Sequence, residues 1–190
     1  AFFILCAIFP ALSWYALKPI LIKAKDSDKF LAAYKRLYTR PDIFNLTLAD
    51  QPQAPAGWQN LGIHKGSPNA ENVILKVCSP SCYHCTKAHE VLNDVLSANK
   101  NVKLITIYGV TNEEQDSRRF PVKHFLALAE QNNGMAEKAM DYWYLKEDRS
   151  YDILKTKFPV SEELLERQIA KIDEMREWCK TAEIEYTPTV

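Results

Sequence analysis

The stretch that most constrains the fold is a short apolar run followed at once by closely spaced cysteines. Residues 73–77 read VILKV, which is rich in β-branched side chains and too short for a helix, so a central strand ending near Cys78 is predicted. Residues 85–96 then carry apolar side chains at helical spacing, and the apolar run 102–108 predicts another strand. Strand, helix and strand in this order form a right-handed crossover with parallel strands. An α/β domain is therefore predicted.

A Cys-x-x-Cys pair lies where this strand is expected to give way to the helix. Cys82 and Cys85 enclose Tyr83 and His84. The unpaired N–H groups of a helix N-terminus favour an anion, so Cys82 is expected to be the attacking thiolate. Cys85, one turn further along, is expected to be less exposed and to resolve a mixed disulfide formed at Cys82. His84 is expected to tune the pair through a hydrogen bond or a positive charge beside the Cys82 sulfur.

The other cysteines and the overall charge narrow the class of protein. The 190 residues include five cysteines, an odd number with three of them within residues 78–85, which does not suit a disulfide framework. Lys plus Arg and Asp plus Glu number 24 each, so no charge excess favours nucleic acid or an acidic partner surface. Because of this charge balance, nucleic-acid binding is not expected. The length suits one sizeable domain with an appended segment.

The same cluster also allows a metal-binding interpretation. The side chains of Cys78, Cys82, Cys85 and His89 are soft ligands, and the Cys78 to Cys82 spacing is similar to the CxxxC of copper-handling Sco proteins. No second group of ligands lies elsewhere in the sequence, and the intact Cys-x-x-Cys favours exchange chemistry. We therefore expect no metal, with Cys78 packed under the site. A copper or zinc protein and a redox-inert binding module remain alternatives.

The N-terminal segment predicts a hydrophobic helix. Residues 1–17 carry no charge, which suggests a membrane-spanning helix over residues 1–23. Residues 24–59 are expected to form a helical linker, and residues 60–190 the α/β domain. Taken alone, the basic residues at the end of the hydrophobic helix favour a cytoplasmic location for that domain; they are Lys18, Lys23 and Lys25.

These motifs together resemble the thioredoxin superfamily. The CYHC of residues 82–85 is more similar to the CPHC of DsbA-type proteins than to the CGPC of thioredoxin. The GSPNA of residues 66–70 is similar to the turn that opens many DsbA-like domains, and the YTPTV of residues 186–190 resembles the loop that carries their cis-proline. The resemblance covers residues 60–190. It implies a thioredoxin-like fold with a helical subdomain inserted at about residues 111–182.

The resemblance also implies roles for particular residues. Pro188 corresponds to the cis-proline of the catalytic site, and Thr187 is expected to lie against the active-site sulfur and to pair with a substrate backbone. Tyr83 is a second expected substrate contact, although it replaces the usual proline or glycine. Lys76 takes the position of a buried acid that assists proton transfer. A lysine there either attracts the Cys85 thiolate and lowers its pKa, or extends to solvent at a sheet edge.

The order of segments is similar to the C-terminal part of bacterial fusions between a vitamin K epoxide reductase-like membrane protein and a thioredoxin-like domain. This resemblance implies a membrane-tethered protein with its soluble domain on the periplasmic side, and a chain truncated after the cis-proline loop. The implied function is a thiol-disulfide oxidase that acts on thiols of secreted proteins. It needs no cofactor of its own, and the membrane domain reoxidises it and passes electrons to a quinone. A membrane-tethered thiol reductase is the alternative.

Overall fold

The computed structural model describes residues 2–146 and 149–190. The chain forms two compact units, Ala1–Gln53 and Ala54–Val190. Each unit has its own secondary structure, and the cysteine cluster belongs to the second.

The first unit consists of two helices, α1 (Phe2–Tyr38) and α2 (Pro41–Ala49). Helix α1 continues without a break past residue 23, where the sequence predicted the boundary between a membrane helix and a linker. Helix α2 begins at Pro41, whose fixed φ suits the first helical position, and Arg40 before it is extended. Within the described residues, no helix has an apolar stretch long enough to cross a membrane.

The second unit is built on a three-stranded sheet. It begins with a short 3-10 helix (Trp58–Asn60) and strand β1 (Ile63–Gly66), followed by β2 (Asn72–Cys78), α3 (Tyr83–Ala98) and β3 (Val102–Tyr108). The strand order is β1-β3-β2, with β2 parallel and β1 antiparallel to β3. The predicted strand, helix and strand are therefore confirmed, but the prediction that the strand ending near Cys78 is central is wrong. Strand β3 is the buried central strand, whereas β2 lies at the edge of this sheet and is fully buried only over its last residues, 76–78.

Four helices follow β3 within the predicted insertion. They are α4 (Arg119–Gln131), α5 (Asn133–Leu145), α6 (Tyr151–Lys157) and α7 (Glu162–Thr181). Helix α7 begins after Ser161, whose side chain accepts a hydrogen bond from the Leu164 amide, with two acidic residues in the first turn.

Helices α4 and α7 pack against Tyr108, the last residue of β3. The Tyr108 amide donates to Met175 Sδ on α7 at 3.5 Å, and its ring lies 6.0 Å from the Phe125 ring on α4. The helical subdomain and the sheet therefore share one apolar core.

The approach to β1 requires a glycine. Gly62 has φ +66°, and a Cβ there would lie 2.1 Å from the Thr106 carbonyl oxygen on β3. Gly57 also has positive φ, at +97°, but a Cβ there would meet no atom within 4 Å.

We expect Gly62→Ala to lower the free energy of unfolding by about 3 kcal/mol or more, because the methyl group forces β1 away from β3 in addition to the strain of positive φ. Gly57→Ala is the matched control and should cost about 1 kcal/mol, from backbone strain alone. Urea unfolding followed by tryptophan fluorescence measures both. Equal losses in the two variants would contradict the close packing at Gly62.

Candidate active site

The two cysteines of the Cys-x-x-Cys pair differ in exposure. Cys82 is the extended residue immediately before α3 and is half-buried, and its amide donates to the Ser79 carbonyl at 3.2 Å. Cys85 lies in the first turn of α3 and is fully buried. The pair therefore presents one accessible sulfur at the helix N-terminus and one sulfur inside the domain.

A loop at the other end of the sequence completes the surface around Cys82. The Thr187–Pro188 peptide bond is cis, and Cys82 Sγ donates to the Thr187 carbonyl oxygen at 3.3 Å. Val77 on β2 and Thr189 exchange two backbone hydrogen bonds, of 2.8 and 3.2 Å. This pairing with β2 holds the loop beside Cys82.

The residues between the two cysteines face outward. The Tyr83 side chain is 66% exposed, and its ring meets the ring of the exposed His84 edge-on at 5.7 Å. Among the hydrogen bonds of the described residues, none joins His84 to the Cys82 sulfur. Tyr83 therefore offers an aromatic surface next to Cys82, and His84 makes no direct contact of the expected kind.

A third thiol lies beneath the pair. Cys78, at the end of β2, is fully buried, and its Sγ lies 3.4 Å from the Tyr144 hydroxyl on α5. A hydrogen bond between the Cys78 and Cys85 thiols lowers the pKa of Cys78 and raises that of Cys85 well above its usual range, and burial raises the Cys85 pKa further. Cys85 also has a hydrogen bond with Cys82. The Cys85 thiol therefore interacts with both of the other thiols.

Lys76 is buried among these groups. It is 0% exposed, and its Nζ has no hydrogen-bond partner among the described residues and lies 5.6 Å from the centre of the Tyr144 ring. Burial lowers the pKa of Lys76, and the charges of Cys78 and Cys85 as thiolates oppose that shift. The alternative in which Lys76 extends to solvent is wrong, because its side chain is fully buried beside the Tyr144 ring of α5.

His89 on α3 belongs to a separate polar network. Its Nε2 donates to Asp141 Oδ1 on α5 at 2.7 Å, and its ring lies 5.0 Å from the Tyr144 ring. The hydrogen bond from His89 holds the pKa of Asp141 down to about 2, and burial lowers the pKa of His89. Lys65 Nζ on β1 lies 3.6 Å from the same carboxylate oxygen. His89 therefore links α3 to α5.

The metal-binding alternative lacks a suitable arrangement of ligands. His89, its fourth candidate ligand, is occupied by the carboxylate of Asp141. In the described part of the chain, no three His, Cys, Asp or Glu side chains are placed to hold one metal ion.

The end of α5 supports the turn that precedes Cys82. Trp143 Nε1 donates to the Pro80 carbonyl oxygen at 2.9 Å, and the Tyr144 hydroxyl donates to the Ser79 carbonyl oxygen at 3.4 Å. Both are buried, and they also position the active-site turn.

Arg149 was not identified from the sequence. Its guanidinium donates to the carbonyl oxygens of Pro80 and Cys82, at 3.3 and 3.5 Å, and to the Thr86 hydroxyl. Arg149 thus connects the loop before Cys82 to the N-terminal end of α3, and it brings a positive charge close to Cys82. The polar stretch around Arg149 contains no motif that marks this role.

Comparisons with known proteins agree with this architecture. No family model matches the chain, and no curated protein matches it. A crystal structure of Proteus mirabilis ScsC in a transitional conformation has a TM-score of 0.60 at 13% identity, over 91% of this chain and 86% of that chain. A periplasmic thioredoxin-like protein from Salmonella enterica serovar Typhimurium has a TM-score of 0.55 at 14% identity, over 66% and 74%.

The oxidised form of BdbD from Bacillus subtilis has a TM-score of 0.54 at 11% identity, over 67% of this chain and 79% of that chain. At such low identities the likeness concerns the fold alone. The chain therefore has the thioredoxin-like α/β fold, with a small mixed sheet and added helices, that is found in DsbA-like oxidoreductases.

Proposed function

We propose that the chain is a thiol-disulfide oxidoreductase in which Cys82 exchanges with substrates and Cys85 is its internal partner. The observation that carries the proposal is the arrangement of the two sulfurs. Cys82 is accessible at the N-terminus of α3 and contacts the loop of the cis-proline Pro188, whereas Cys85 is fully buried one turn further on. Accessible nucleophile and sheltered partner are the two roles that dithiol exchange requires.

The proposed direction is oxidation of substrate thiols. A substrate thiolate attacks Cys82 Sγ of the Cys82–Cys85 disulfide, which forms a mixed disulfide and releases Cys85 with the electron pair. A second substrate thiolate then attacks the substrate sulfur of the mixed disulfide and releases Cys82 as a thiolate. The substrate gains one disulfide, and the enzyme ends with two reduced cysteines. The helix N-terminus and Arg149 favour the negative charge left at Cys82.

Thr187 and Tyr83 are the proposed substrate contacts. The Thr187 backbone adjoins the reacting sulfur through its carbonyl group, which suits pairing with an extended substrate segment. Tyr83 exposes its ring beside the same sulfur. Both contacts are independent of substrate sequence, which fits an enzyme that acts on unfolded thiol-containing proteins.

Lys76 is the proposed proton-transfer residue for Cys85. Burial disfavours its charged form, so the amine is available to take a proton from a thiol. When Cys85 leaves as a thiolate, the amine takes up a proton from solvent and passes it to that thiolate. We infer that this exchange offsets the raised pKa of Cys85.

We propose an extracytoplasmic, periplasmic location, since an oxidising pair is useful outside the cytoplasm. The similar Salmonella protein is described as periplasmic. The proposed substrates are secreted proteins, and the reaction at Cys82 needs no cofactor. A vitamin K epoxide reductase-like membrane domain that delivers electrons to a quinone is the proposed oxidant of the reduced pair, as the segment order suggests.

We expect Cys85→Ala to accumulate mixed disulfides between Cys82 and substrate proteins, because the internal partner is missing. Cys82→Ser should lose all measurable exchange and trap nothing. The measurement is non-reducing electrophoresis after rapid alkylation of cells that express each variant. Cys179→Ala is the control, because burial raises the pKa of that thiol to about 11 and it should behave as the parent protein. Adducts that persist in Cys82→Ser would overturn the assignment of the nucleophile.

The direction of the reaction is tested by the reduction potential. We expect equilibration with glutathione to give a reduction potential close to that of DsbA, which is about −120 mV. A value near the about −270 mV of thioredoxin would instead identify a reductase.

The role of Lys76 is tested by Lys76→Met, which should separate stability from chemistry. Removing a buried amine without a hydrogen-bond partner should raise the free energy of unfolding, by about 1 to 3 kcal/mol. At pH 7 the attack of Cys85 on a Cys82–glutathione mixed disulfide should slow by roughly a hundredfold. That rate should then rise with pH through the alkaline range, because only solvent removes the proton from Cys85.

Lys65→Met is the matched control, since it removes a neighbouring positive charge that is partly exposed. It should retain the pH profile of the parent protein. Identical profiles for Lys76→Met and the parent protein, measured by stopped-flow fluorescence, would show that Lys76 transfers no proton.

A further inference from the structure

We propose that Cys78 is a third redox-active residue, and that the oxidised protein interconverts between a Cys82–Cys85 disulfide and a Cys78–Cys85 disulfide. The inference rests on the proposed function, because it starts from the Cys82–Cys85 disulfide. It assigns chemistry to a buried thiol that the exchange with substrates does not use.

The arrangement of the sulfurs is the first support. Cys78 and Cys85 lie in one buried cluster, and Cys82 packs against that cluster. Interactions of the Cys85 thiol with both Cys78 and Cys82 also shift its pKa. Exchange requires the attacking thiolate and the leaving thiolate to be bonded in turn to one central sulfur. Cys85 is that central sulfur. Cys78 is the last residue of β2, and its carbonyl oxygen accepts a hydrogen bond from the Gly109 amide at 3.0 Å.

A proton acceptor for Cys78 is the second support. Lys76 and Cys78 are two residues apart on β2, so their side chains lie on the same face. Lys76 is fully buried and its Nζ has no hydrogen-bond partner among the described residues. The Tyr144 hydroxyl, 3.4 Å from Cys78 Sγ, adds a hydrogen-bonding group. A thiolate at Cys78 would therefore form next to a new ammonium group and a hydroxyl group rather than in an apolar surrounding.

The step is balanced without an external reagent. Cys78 gives its proton to the Lys76 amine, and the Cys78 thiolate attacks Cys85 Sγ of the Cys82–Cys85 disulfide. The Cys78–Cys85 bond forms, the Cys82–Cys85 bond breaks, and the electron pair leaves on Cys82 Sγ. The protein contains one disulfide before and after the step. The negative charge ends at the helix N-terminus, which favours it.

The transfer changes what the surface presents. Cys78 and Cys85 are both fully buried, so their disulfide is out of reach of reductants in solution. Cys82 becomes an accessible thiolate that lacks its resolving partner. The oxidising equivalent is thus stored inside the domain until reverse attack by Cys82 on Cys85 returns it to the surface.

The decisive variant is Cys82→Ser, which leaves Cys78 and Cys85 as the two remaining thiols within residues 78–85. Cys78, Cys82 and Cys85 lie on one tryptic peptide, residues 77–87, so cysteines elsewhere do not interfere with the assignment. The variant is unfolded in urea and refolded in a buffer of reduced and oxidised glutathione, which gives the buried thiols access to the oxidant. After acid quenching and alkylation, we expect this peptide of Cys82→Ser to lack two hydrogens and to carry no alkyl group. A peptide that is dialkylated, or that carries glutathione instead, would overturn the proposal.

The double variant Cys78→Ala with Cys82→Ser is the matched control and should keep a single alkylated thiol at Cys85. In the parent protein, oxidised and then alkylated in the native state, tandem mass spectrometry should find the alkyl group on Cys82 in a fraction of molecules. Cys78→Ala should lose that fraction. Its persistence in Cys78→Ala would show that Cys82 becomes free by another route.

The outcomes separate this inference from the proposed function. If the parent protein forms no Cys82–Cys85 disulfide under conditions that oxidise thiol pairs, the proposed function fails. If the parent protein forms it and Cys82→Ser stays a dithiol, only the role of Cys78 fails.

Discussion

The site depends on the backbone pairing between Val77 and Thr189. These two hydrogen bonds bring the loop of Thr187 and Pro188 against the start of α3, although more than a hundred residues separate it from Cys82. Without them, Cys82 would be an exposed thiol at a helix end with nothing to orient a partner. The opposite side of the turn is held by α5 and Arg149, which bind its carbonyl groups. The Cys82 sulfur therefore lies between two segments that follow the sheet in the sequence.

Burial of Lys76 lowers the stability of the domain, and the proposed proton transfer would explain why an amine lies there. A lysine that is 0% exposed without a hydrogen-bond partner among the described residues costs about 1 to 3 kcal/mol relative to an apolar side chain. An acid at this position would repel the thiolates that form during exchange, whereas an amine attracts them once it is protonated. The local arrangement therefore favours negative charge on Cys78, whose pKa is lowered, and the rest of the fold compensates for the cost.

Local patterns predicted a large part of this structure. The run before Cys78, the Cys-x-x-Cys pair and the strand ending at Tyr108 are each encoded within a few neighbouring residues, and the structure has them where the sequence indicated. The burial of the Lys76 amine could not be predicted, because the sequence of an apolar strand is the same whether its lysine extends to solvent or into the core. Arg149 and the hydrogen bond between His89 and Asp141 were missed because they depend on where α5 packs, which no local pattern specifies. The sequence placed a segment boundary near residue 23 because the apolar character ends there. Helix α1 continues through this position because a change in polarity does not by itself end a helix.

Tyr144 connects groups that would otherwise act separately. Its hydroxyl contacts Cys78 and the Ser79 carbonyl, and its ring lies within 6 Å of His89, Lys76 and Arg149. One side chain thus borders the buried thiol, the buried amine and the residue that holds the active-site turn. In evolutionary terms, a substitution at position 144 changes the surroundings of all three at once. Tyr144 therefore couples the environment of the cysteine cluster to the loop that carries Arg149.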